Sequence, residues 1–108
     1  MIDLFNGIVE EFKADPRNKI FASEQLLIMS VTEETGKQIN AVEFRKVINK
    51  FLAADMTDKD YEIYDGAVAV CGELARSCFG TDPDEDVDYE IEWWDDDDRS
   101  FSAVIRPM

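Results

Sequence analysis

The chain has 108 residues, 45% of them apolar, with 25 acidic against 11 basic side chains and a formal net charge of −14. That length suits one domain and that apolar content suits a packed core, which excludes a disordered acidic tail. The charge argues against direct contact with nucleic-acid phosphates or an anionic membrane, since both are bound through clusters of Lys and Arg.

The opening segment, Asp3 to Ala14, has helical spacing. Phe5, Ile8, Val9 and Phe12 recur at i, i+3, i+4 and i+7, as one buried helix face requires. Asp3 is placed to cap it, and Pro16 disfavours helix at the residue before it. This N-terminus has neither the basic start nor the small-residue cleavage site of a signal peptide. No apolar run reaches transmembrane length. A cytoplasmic location without membrane contact is the expectation.

The second segment, residues 20–36, offers Ser23 as N-cap and Gly36 just past the helix end. The apolar run from Leu26 to Met29 would also suit a strand, but length and caps favour helix. In the third segment Asn40 and Glu43 have capping-box spacing. Phe44, Val47, Ile48, Phe51 and Leu52 form its apolar stripe, while Arg45, Lys46, Asn49 and Lys50 take the other side. The fourth begins at the Thr57–Asp60 pair and continues through Tyr61, Tyr64, Val68, Cys71, Ala75 and Cys78 to Gly80. Gly66 and Gly72 within it each cost roughly 1 kcal/mol relative to Ala, which close approach of another helix would explain.

Past Gly80 the period changes from 3.6 to 2. Residues 87–93 place Val87, Tyr89, Ile91 and Trp93 on one face and Asp88, Glu90 and Glu92 on the other. Residues 100–106 alternate again through Phe101, Ala103 and Ile105. The aspartates between them, Asp95 to Asp98, have the composition of a hairpin turn. The expected fold is therefore α+β within a single domain spanning 1–108. About four helices (1–80) precede an acidic loop and a C-terminal antiparallel β-hairpin (81–108).

The charge is not spread evenly. Residues 82–98 contain eleven acidic side chains and no basic one, so residues 82–108 carry −9 of the total and residues 1–81 carry −5. On a strand, Asp88, Glu90 and Glu92 would be spaced about 6.8 Å apart, with the aspartate tip extending the line. A row of anions at that spacing imitates a phosphate backbone and attracts basic grooves. If the alternation holds, Trp93 points into the core and Trp94 shares the acidic face, where an exposed aromatic suits an interface anchor. The simpler alternative is that the tryptophans close a core and the aspartates form a solvated turn.

Catalytic patterns are missing. With no histidine there is no Ser-His or Cys-His nucleophile pair, and no phosphate-binding glycine loop is present. Cys71 and Cys78, seven residues apart on one helix, would sit about 10.5 Å apart along its axis. That is too far for a disulfide and a poor start for a zinc site. Residues 82–93 begin like a calcium-binding EF-hand loop at Asp82, Asp84 and Asp86. They fail at the sixth position, Val87, and at the twelfth, Trp93. No enzyme activity, cofactor or metal is expected. The basic side chains Arg45, Lys46 and Lys50 on the third helix would suit a helix-turn-helix DNA reader, but the overall charge opposes one.

In charge, length and lack of catalytic residues the chain resembles two groups of small acidic inhibitors. One comprises the immunity proteins that neutralise nuclease toxins. The other comprises phage-encoded anti-CRISPR and DNA-mimic proteins. No aligned motif carries this resemblance. It implies an inhibitor that covers the basic surface of a nucleic-acid-binding protein, a nuclease or CRISPR-type effector. Asp88, Glu90, Glu92, Trp94, Asp95, Asp96, Asp97 and Asp98 would form the partner-binding surface. Two alternatives stand beside it. One is a structural or adaptor module, including a homodimer that pairs hairpin edges between subunits. The other is a carboxylate site for a divalent cation.

Overall fold

The computed structural model describes residues 2–14, 19–80, 87–96 and 100–107. Within them the chain is α+β, with four helices and a three-stranded antiparallel sheet. Helices α1 (Ile2–Ala14), α2 (Glu24–Thr35), α3 (Ala41–Leu52) and α4 (Asp58–Phe79) all precede the long strands β2 (Tyr89–Asp96) and β3 (Ser100–Pro107). A short strand β1 (Ile20–Ala22) lies between α1 and α2.

That third strand joins the expected C-terminal hairpin and makes it a three-stranded sheet. The sheet order is β1-β3-β2, with β1 antiparallel to β3 through Ile20–Ile105, Phe21–Val104 and Ala22–Ala103. Residues 20–22 supply the sheet's far edge, so residues 1–80 contribute a strand as well as the helices. The physical reason is plain: three residues are too few to display a period, and β1 is held by its partner rather than by its own propensity. A hairpin alone would be marginal, and a third strand plus a helical layer removes that weakness.

Local chemistry sets the helix ends. Ser23 Oγ accepts the Leu26 N–H at 3.3 Å, and Gly36 follows α2 in the left-handed region at φ 72°. Asn40 Oδ1 accepts the Glu43 N–H at 2.9 Å. Thr57 and Asp60 form a reciprocal capping box at the start of α4. The Asp60 carboxylate accepts the Thr57 N–H at 3.0 Å, the Thr57 hydroxyl at 2.9 Å and Lys50 Nζ at 3.3 Å. The Thr57 N–H, followed by the Thr57 hydroxyl and Lys50, holds that carboxyl below its ordinary pKa against the opposing effect of burial. Helix α1 begins at Ile2, so Asp3 falls inside the first turn rather than at the cap. Pro16 lies outside the described residues.

The core is formed where the helices meet one sheet face. Leu26, Leu27 and Val31 of α2, Phe44 and Ile48 of α3, Val70, Cys71 and Leu74 of α4, and Ile20, Ala22, Phe101, Ala103 and Ile105 of the sheet are buried together. Two apolar positions depart from the expected stripes. Leu52 and Tyr61, at the facing ends of α3 and α4, are exposed.

Gly66 and Gly72 have different neighbours. A Cβ on Gly66 would lie 3.1 Å from Val31 Cα, so α2 crosses α4 closely there, and the buried Ser30 hydroxyl donates to the Gly66 carbonyl at 2.7 Å. At Gly72 the close neighbour is the Tyr89 hydroxyl of β2 rather than a helix. The cysteines are free thiols. Burial pushes the Cys71 pKa up to about 12.

Candidate functional site

Strand register decides which way each candidate residue faces. In β2, Tyr89, Ile91, Trp93 and Asp95 stand opposite Pro107, Ile105, Ala103 and Phe101. Directly opposed residues share a sheet face, so these belong to the helix-covered side. Glu90, Glu92 and Trp94 stand opposite Arg106, Val104 and Ser102, on the side turned away from the helices.

The two tryptophans are separated accordingly. Trp93 packs against the core, with its ring 6.3 Å from Phe44 and 6.0 Å from Tyr64. Its buried indole N–H meets no hydrogen-bond partner among the described residues. It still lies close enough to Tyr64 to favour the ionised phenol. Burial outweighs that effect and raises the Tyr64 pKa. Trp94 is 46% exposed on the outer face, in edge-to-face contact with Phe21 of β1 at 5.9 Å. Phe21 is 43% exposed. Lys19 Nζ lies 5.3 Å from the Phe21 ring and 6.0 Å from the Trp94 ring, within cation–π range of both.

Beneath this pair Val104 is fully buried, although it faces away from the helices. Register places Phe21 on one side of it and Glu92 on the other. The outer face therefore carries a small apolar centre, Phe21, Val104 and Trp94, edged by charge. Asp88 and Glu90 are exposed beside it. Glu92 is exposed but pairs with Arg106 at 2.8 Å. The expected row of anions is thus interrupted: Arg106 stands opposite Glu90 in the ladder and bridges to Glu92.

The aspartate run also needs correction as a turn. Asp95 and Asp96 continue β2, paired with Phe101 and Ser100. Asp95 occupies a helix-side register position, so it does not extend the line of Glu90 and Glu92. Asp97 and Asp98 lie outside the described residues. Of the eight candidate residues, the register brings Glu90, Glu92 and Trp94 to one surface, and Asp88, just before β2, is exposed. Lys19, Phe21, Val104 and Arg106 belong to the same surface and escaped notice in the sequence.

Glu24 fixes this sheet to the helices. Its carboxylate accepts the Phe101 N–H at 2.7 Å, at the start of β3, and stands 3.6 Å from Arg45 Nε. Lys50 is paired with Asp60. Two of the three basic side chains on α3 are therefore engaged within the protein.

Elsewhere an open hollow of about 440 Å³ is lined by Ile28, Met29, Thr32, Glu33, Gln38 and Ile39. None of these is a candidate residue. Among the described residues no helix is long and apolar enough to cross a membrane. Nor do any three carboxylate or thiol side chains among them gather as a metal-binding set. Residues 82–86, which resemble the start of a calcium loop, lie outside that description. Comparison with protein-family models, curated proteins and solved structures found no match to this chain.

Proposed function

We propose that this chain is an acidic inhibitor that docks on the basic surface of a nucleic-acid-acting protein and blocks it by occupancy. The observation that supports this reading is the composition of the outer sheet face. Exposed carboxylates at Asp88 and Glu90 accompany a half-exposed aromatic pair, Phe21 and Trp94, and among the described residues this sheet face is the one turned away from the core. Aromatic side chains at the centre of a polar, charged rim are the usual anatomy of a protein interface. The charge favours a partner whose own surface is rich in Lys and Arg.

The partner class is a nuclease or CRISPR-type effector, met either as the target of a phage inhibitor or as a toxin held by its immunity protein. Asp88, Glu90 and Glu92 supply the charge and Trp94 the anchor. Asp95 and Asp96, at the end of β2, and Asp97 and Asp98, which follow in sequence, add negative charge.

A pull-down of the tagged protein from lysate of its native host, eluted with a salt gradient, tests the reading. Release of one basic nucleic-acid enzyme at elevated salt is the expected result, because contacts between charged surfaces are screened by salt. Recovery of self-associated protein only, or of many basic proteins at low salt, overturns it.

A further inference from the structure

Strand β2 is an edge of the sheet: among the described residues its only strand neighbour is β3. In an antiparallel pair every second residue directs its N–H and C=O away from its partner. Strand β2 is eight residues long, against three for β1 at the opposite edge, and no other described strand pairs with its outer side. Free edges are commonly blunted by proline or lysine, and β2 contains neither. It contains four acidic residues instead, Glu90, Glu92, Asp95 and Asp96. A second copy pairing here would bring acidic residues against acidic residues, and like charges on neighbouring strands oppose pairing. The acids therefore repel a copy of the same strand while leaving the backbone open to a strand of opposite charge.

The two faces of β2 define that strand more closely. Outward are Glu90 and Glu92; helix-side are Tyr89, Ile91 and Trp93, which pack on the core but stay partly exposed. A neighbour matching both has basic side chains outward and apolar ones inward, in alternation.

We propose that the partner engages this protein by strand addition, through an extended segment of alternating basic and apolar residues that pairs with the free edge of β2. This rests on the docking function proposed above and specifies the partner's chemistry. Backbone hydrogen bonds supply the pairing and the alternate side chains supply the selectivity.

The test uses the full chain and a synthetic octapeptide of alternating Arg and Val, with a second version N-methylated at every backbone amide. Both carry the same charge, but the second cannot donate to a ladder. The expected result is saturable binding of the first peptide, at least tenfold weaker binding of the second, and slowed hydrogen exchange at alternate amides of Tyr89–Asp96. Equal, salt-sensitive binding of both peptides overturns strand addition and leaves charge-led docking standing. No binding of the first peptide, binding without protection in β2, or protection of the same amides in a dimer of the protein alone also overturns it.

Discussion

Trp93→Ala and Trp94→Ala alter adjacent residues of one strand and should differ both in cost and in kind. Trp93 sits on the core against Phe44 and Tyr64. Truncating a large aromatic in such a place costs about 3 kcal/mol or more. Trp94 is 46% exposed, and its specific contacts are one edge-to-face ring at 5.9 Å and one ammonium at 6.0 Å. Those are worth roughly 0.5–1.5 kcal/mol and about 0.5 kcal/mol, so its loss should cost about 1–2 kcal/mol. Urea unfolding followed by far-ultraviolet circular dichroism measures both variants without relying on tryptophan emission. Binding to a target should reverse the order. Trp94→Ala should weaken it by about 2 kcal/mol, close to 30-fold, and Trp93→Ala should act only through stability. Equal destabilisation by the two variants would refute the assignment of one tryptophan to the core and one to the surface.

Glu24→Ala removes the charge-assisted hydrogen bond to the Phe101 N–H and the ion pair to the buried Arg45 Nε. A loss of about 2 kcal/mol is expected in the same unfolding assay, and Glu24→Gln, which keeps an acceptor, should lose less. Ala54 closes α3 in the left-handed region at φ 57°, with the Asp55 N–H donating to the Lys50 carbonyl in a Schellman arrangement. Ala54→Gly should therefore raise stability by about 0.5 kcal/mol, the relief of strain exceeding the added entropy of the unfolded chain. Cys71, with its pKa at about 12, stays a thiol at pH 9, where an exposed cysteine begins to ionise. The native protein should alkylate there only on unfolding. The raised value also means that the unfolded chain releases this proton first. Its contribution to stability is complete below pH 9 and is lost as pH rises toward 12. A Cys71→Ala variant should show a shallower alkaline decline.

The helices were legible because each carries its own punctuation. Ser23, Asn40 and Thr57 cap as their positions suggest, and Gly36 takes the left-handed conformation expected of it. The strand alternation of residues 89–93 was equally plain, since one face is apolar and the other acidic. What stayed hidden depends on pairing. Residues 20–22 become a strand only because β3 lies beside them. The aspartates after Trp94 look like a turn until Phe101 and Ser100 are seen to pair with Asp95 and Asp96. The candidate face suffered most from this. Phe21 and Lys19 reach it from 70 residues away in the chain, and Arg106, which counted only toward net charge in the sequence, bridges to Glu92. Leu52 and Tyr61 followed the helical period, but they sit at helix ends where no core remains to cover them.

The most direct test of the docking face removes the same number of charges from two different places. One variant combines Asp88→Asn, Glu90→Gln and Glu92→Gln on the outer sheet face. A control combines Glu10→Gln, Glu11→Gln and Glu33→Gln, exposed residues of α1 and α2. Both are compared with the unaltered protein in the salt-gradient pull-down. The sheet variant should lose the captured partner while the helix variant retains it at nearly the same eluting salt. Equal retention by both, or equal loss, would contradict the assignment of the binding surface to this sheet.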